Sequence, residues 1–209
     1  MREDGLTVVL GNPIPSSNPV FLAAIGFHVL FGLAAVVVGA ITMLGRKGGR
    51  RHVNFGTTYF WCLAGVSITM ALLSIMRWTE NSHLFVLGTL SFTSALFGRS
   101  AARRRWRQWP RVHLVGMGAS YIFMITAFYV DNGKNLPIWK EFPQAAFWFL
   151  PGAIGVPLVL QALFRHPLVL AFDSQHGECR EISQFKSAAP TRSVGDHAIA
   201  ASQSTICDT

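Results

Sequence analysis

Seven histidines stand in this chain of 209 residues, and five of them (His28, His52, His83, His113 and His166) fall in or beside long apolar runs. Imidazole can carry a proton near neutral pH or bind a transition metal through a neutral ring nitrogen. Spacing narrows the choice. His52 and His113 each stand at the start of an apolar run and so at matched depth. Two imidazoles at one depth on facing helices are what axial ligation of a haem iron requires. Each also has small or polar neighbours about a turn on, Gly56 and Tyr59 for His52, Gly116 and Met117 for His113. His28 lies eight residues into its run, roughly 12 Å at ~1.5 Å per residue, whereas His83 sits at the edge of its own. That second pair matches poorly in depth. The cofactor-binding candidates are therefore His28, His52, His113 and His83, with His52 and His113 as ligands of a haem b iron. The plain alternative makes His52, His113 and His166 interfacial residues beside lipid headgroups and His28 a hydrogen bond across helices.

Membrane helices must position these residues. Val20 to Leu44 is 25 residues without a charge, roughly 37 Å of helix, enough to cross a ~30 Å hydrocarbon core with some tilt. His28 shares a helical face in it with Gly32, Ala35 and Gly39. Small residues there let another backbone or a flat cofactor approach closely. Further helices are expected at about 55–76, 84–98, 112–130 and 144–164, the last containing Pro151 and Pro157, which should bend it. The third is the short one, about 22 Å over 15 residues, unless it begins earlier and draws His83 below the headgroups. Its face Gly88, Ser91, Ala95, Gly98 is small and should pack tightly. The fold expected is all-α, a polytopic bundle of five transmembrane helices over residues 20–166. A polar tail with three prolines covers 1–19, and a mostly disordered tail covers 167–209. No leader is evident in the first residues, so the first membrane helix is expected to stay in the mature protein.

Composition agrees. The chain is 51% hydrophobic and 13% charged, against about 25% charged in soluble domains. A net charge of +8 invites a nucleic-acid reading, but the cations sit in the gaps between apolar runs, so no nucleic-acid partner is expected. The gaps after helices one and three hold four and six Lys/Arg, and four more follow helix five. The other connections and the amino tail hold only Arg2, Arg77, Lys134 and Lys140. By the positive-inside tendency the amino terminus is expected outside and the carboxyl terminus in the cytoplasm of a cell (inner) membrane.

Three cysteines, Cys62, Cys179 and Cys207, have no paired spacing and support neither a disulfide framework nor a zinc site. His113, Met117, Ser120, Met124, Ala127 and Asp131 share one face of helix four, a stripe that reads first as packing and second as a path. No nucleophile elbow, phosphate loop or metalloprotease motif is present. No charge falls within a crossing, which weakens an ion-coupled transporter. Residues 46–59, RKGGRRHVNFGTTY, have the form RKGG-xx-H-xxx-G-xx-Y. With a histidine in the preceding helix and an H-xxx-M helix later, the chain resembles the bacterial membrane proteins of domain of unknown function 2306 over about residues 20–165. That resemblance implies a histidine-bearing bundle, with His28, His52, His113, Gly56 and Tyr59 as the matching positions. The basic residues the family often carries beside the loop histidine and tyrosine are Val53, Asn54 and Thr57 or Thr58 here. The function expected is transmembrane electron transfer through haem b, with a redox partner or membrane complex. The alternatives are a small-solute or proton permease using His28 and Asp131, or a non-catalytic accessory subunit.

Overall fold

The structure is a computed structural model, and it describes residues 7–9, 12–14, 19–45, 49–137, 141–165 and Val169. The chain divides into two compact units, Met1–Val159 and Leu160–Thr209. Its architecture is all-α: α1 (Pro19–Leu44), α2 (Arg50–Met76), α3 (Trp78–Arg104), α4 (Trp109–Asn132) and α5 (Gln144–Arg165). Two three-residue strands, Thr7–Val9 and Asn12–Ile14, pair antiparallel ahead of α1, in the tail expected to be irregular. All five helices are long and apolar enough to cross a membrane, the build of a multi-pass membrane protein. The tail at 167–209 and His166 lie outside the described residues, Val169 apart.

Lipid explains why these segments are helical, since every backbone N–H and C=O must find a partner within its own segment there. The hydroxyls follow the same rule. Thr42, Ser67, Thr69, Thr89, Thr93 and Thr126 each donate to the carbonyl four residues back, at 2.7 to 2.9 Å. Large apolar side chains such as Phe27, Leu30, Leu33, Ile75, Phe149 and Phe164 face outward, which water would penalise and acyl chains favour.

The third helix differs from its expected span of 84–98. It starts at Trp78 and runs through Arg104, because its polar ends satisfy themselves as helix. Asn81 Nδ2 donates to Leu73 O at the end of α2, and Glu80 in the first turn pairs with Arg77. A first-turn carboxylate also meets the positive end of the helix dipole. Arg77 is the single residue between α2 and α3. His83 is therefore inside α3 rather than at its start.

Helices α1 to α4 pack in sequence, α1 on α2, α2 on α3 and α3 on α4, and α4 touches α1 to close the ring. The core between them is Ala35, Tyr59, Phe60, Leu63, Ala95 and Met124. The small face expected on α3 is inside, with Ser91, Ala95 and Gly98 buried. A hydrogen-bond chain crosses this core. Ser120 Oγ donates to Met117 O at 2.8 Å, so Tyr59 Oη, 2.9 Å away, donates to Ser120 Oγ. Ser91 Oγ donates to Ser120 O at 2.7 Å, and Tyr121 Oη donates to Val36 O at 3.1 Å. Ser120→Ala removes the Tyr59 acceptor and is expected to cost about 0.5–2 kcal/mol. Thermal unfolding in detergent should register a drop of a few degrees, mostly recovered in Tyr59→Phe/Ser120→Ala. A double variant no better than the single would show that the hydroxyl pair is not the cause.

Helix α5 lies against α4 through single knobs. Phe147 covers Gly133, Ile122 covers Gly155 and Val159 covers Gly118, each glycine leaving no room for a Cβ. Pro151 and Pro157 both stand within the helical span.

Candidate functional site

Gly49 ends the turn between α1 and α2, and the helix that follows carries His52 in its first turn. Helix α4 begins at Trp109 with Pro110 in its first turn, a position where a missing N–H costs nothing, and His113 follows one turn on. The two rings meet. Their centroids are 6.3 Å apart and their planes are near perpendicular, at 80°.

His113 is held by α3. Its Nδ1 lies 3.0 Å from Gly98 O, and a carbonyl can only accept, so Nδ1 carries the proton and the Nε2 lone pair remains for a metal or a proton. This is the usual support for a metal-binding imidazole, whose second nitrogen donates to a backbone carbonyl or carboxylate. The bond exists because α3 and α4 nearly touch here. A Cβ on Gly116 would stand 2.8 Å from both Gly98 Cα and Ser94 O, and one on Gly98 would stand 3.0 Å from Met117 N. Gly116, the small neighbour of His113, is thus spent on helix packing. Tyr59 is likewise in the core, 2% exposed, bonded to Ser120. Gly56 keeps its room, with Thr42 Cγ2 the nearest atom to an added Cβ at 3.7 Å.

A cavity of about 590 Å³ opens beside His52, between the ends of α1 and α2, lined among others by Ile41, Thr42, Arg50 and Phe55. That volume lies within the range of about 300–1,000 Å³ usual for small-molecule and cofactor sites. His113 is not part of its described lining. Among the described residues no group of three or more His, Cys, Asp or Glu could hold a metal ion, so an all-protein metal cage is not assembled there. A porphyrin supplies four of its iron's ligands and asks the chain for two.

Comparisons with protein-family models, with curated proteins and with solved structures return no match.

The other two predicted histidines do not meet each other. His28 Nδ1 lies 3.0 Å from Thr69 Oγ1, and that hydroxyl is 2.9 and 3.0 Å from Gly65 O and Val66 O. Thr69 therefore donates to its own helix and accepts from His28, which ties α1 to α2. His83 instead lies against the Trp148 ring of α5, at 6.0 Å. Of the small face around His28, Ala35 and Gly39 are buried, and Gly39 lies against Tyr121 and Tyr59. Gly32 has open space beside it.

The stripe on α4 turns inward at its middle, with Ser120 and Met124 buried, and ends at the exposed Asp131. Two features had no forecast in the sequence, the hydrogen-bond chain from Tyr59 through Ser120 and the placement of Arg99. The guanidinium of Arg99 lies 4.7 Å from the centre of the Phe60 ring and donates to Thr57 Oγ1 at 3.3 Å. Ser91 and Ser120 stood on faces already read as inward, and two such hydroxyls in apolar helices were the available signal.

Proposed function

We propose that the chain is a haem b-binding membrane protein that passes electrons, with His52 and His113 as the axial ligands. The observation that carries this reading is the meeting of those two rings. Two imidazoles that shared one metal ion, each nitrogen at ~2 Å from it, would have their ring centres about 6 Å apart. The 6.3 Å between His52 and His113 fits that spacing. The Gly98 carbonyl fixes the His113 tautomer that leaves Nε2 for the iron. Arg50 and Arg51, beside the cavity at His52, are placed to neutralise carboxylates at that end. When bound, the haem supplies the one-electron couple. The chain's part is to hold two ligands on rigid helices and to surround them with an apolar core, which sets the potential.

In this reading the basic end faces the cytoplasm, His28 stands nearer the opposite leaflet, and a redox partner docks at one face. The loop stretch RKGGRRHVNFGTTY, which resembles that of the domain of unknown function 2306 proteins, supplies His52 of the pair, with Gly56 and Tyr59 following on the same helix. Purified protein, as isolated or after addition of haem, is expected to give a reduced-minus-oxidised Soret difference. A colourless preparation that takes up no added haem overturns the proposal. It would leave the permease reading, in which His28 and Asp131 stand on the path.

A further inference from the structure

We propose that the groove between α2 and α3 at the basic end binds the phosphate of an anionic phospholipid, held by Arg99, Arg103 and the Thr57 hydroxyl. The inference starts from the distribution of charge along the sequence. Between Asp4 and Asp173 the only carboxylates are Glu80, Asp131 and Glu141, and all three stand on or beside the α2–α3 and α4–α5 connections. Residues 46–51 and 99–111, the α1–α2 and α3–α4 connections with their adjoining helix turns, carry ten cations and no acid. The ion pair between Arg77 and Glu80, the only one among the described residues, is at the opposite end.

Within that set Arg99 is distinct. It lies five residues before the end of α3, inside the span, yet it is not stretched along the helix toward water. The Phe60 ring and Thr57 Oγ1 pin its guanidinium across the groove onto α2. Thr57 takes one of its five N–H donors, which leaves a fork matched to phosphate. Arg103 stands one turn further on along α3. Like charges four residues apart repel along a helix, and an anion between them reverses the sign. Lipid is favoured over free phosphate by what borders the groove. Trp61, one turn on from Thr57 along the same face of α2, is an exposed apolar ring at 65%, a surface for acyl chains below the headgroup.

The test is native mass spectrometry of the full chain released from bilayers of mixed phosphatidylglycerol and phosphatidylcholine, with affinity measured by titration after delipidation. Wild type is expected to keep one phosphatidylglycerol in preference to phosphatidylcholine. Arg99→Gln should weaken that binding about tenfold or more, and Arg99→Lys should recover only part of it, since lysine restores charge and not the fork. Arg103→Gln and Thr57→Val provide independent checks should Arg99→Gln fail to fold, each expected to weaken binding severalfold. Equal retention of the two lipids, or wild-type affinity in both Arg103→Gln and Thr57→Val, overturns the site. Inorganic phosphate binding as tightly as phosphatidylglycerol overturns the lipid as its occupant.

Discussion

Gly116→Val is expected to destabilise the bundle by about 3 kcal/mol or more, which is on the order of ten degrees in Tm for a protein of this size. The reason is what the new side chain meets. Its first carbon alone would stand 2.8 Å from Gly98 Cα, 2.8 Å from Ser94 O and 2.9 Å from Gly98 N. These are backbone atoms, so no rotamer change relieves the contact and α3 must move away from α4. That movement also pulls Gly98 O off His113 Nδ1, coupling a packing defect to the histidine site. The sign is not generic for glycines in this protein. An added Cβ at Gly26 or Gly32 meets nothing within 4 Å, and Gly→Ala in a helix is worth up to about 1 kcal/mol in propensity. Gly26→Ala is therefore expected to hold or raise Tm in the same detergent. Thermal unfolding followed by circular dichroism measures both variants. A Gly116→Val protein as stable as wild type would mean that α3 and α4 do not approach as closely as Gly98 and Gly116 require.

The membrane helices were legible in the sequence for a physical reason. Lipid leaves an uncharged run of 20 or more residues almost no other conformation, so Val20 to Leu44 could be read within one residue of α1. The ends were harder to read, because beyond the hydrocarbon polar residues can be helix or turn with little difference in cost. Thr79 to His83 and Arg99 to Arg104 were assigned to connections on their polarity, and both are helical. Contacts between helices were legible only where chemistry marked a face. The small residues Ser91, Ala95 and Gly98 announced close packing on α3, and its partner at Gly116 could not be read because helix rotation is set by all the neighbours at once. The same limit separates the two histidine pairs. His52 and His113 share a depth and their faces meet, whereas His28 turns to Thr69 and His83 to Trp148.

His113→Ala is expected to remove or shift the haem difference spectrum while leaving the bundle folded, and this contrast separates a ligand from a structural residue. The fold should survive because His113 contributes one hydrogen bond, to Gly98 O, at a site where helix packing rests on Gly98 and Gly116. The cost of that bond is about 0.5–1.5 kcal/mol, a few degrees at most. Loss of an axial ligand is of another order. With His52 alone left to hold it, the haem would either leave or give a shifted Soret band. Added imidazole should restore the six-coordinate spectrum in His113→Ala wherever haem is retained, because the small ligand can occupy the volume vacated by the side chain. His52→Ala should behave in the same way, and the double variant should take up no haem at all. His28→Ala offers the counter-case, since its ring is bonded to Thr69 and stands away from the pair. A full haem spectrum in His52→Ala/His113→Ala would move the ligands elsewhere in the chain, and the 6.3 Å approach of the two rings would then be packing alone.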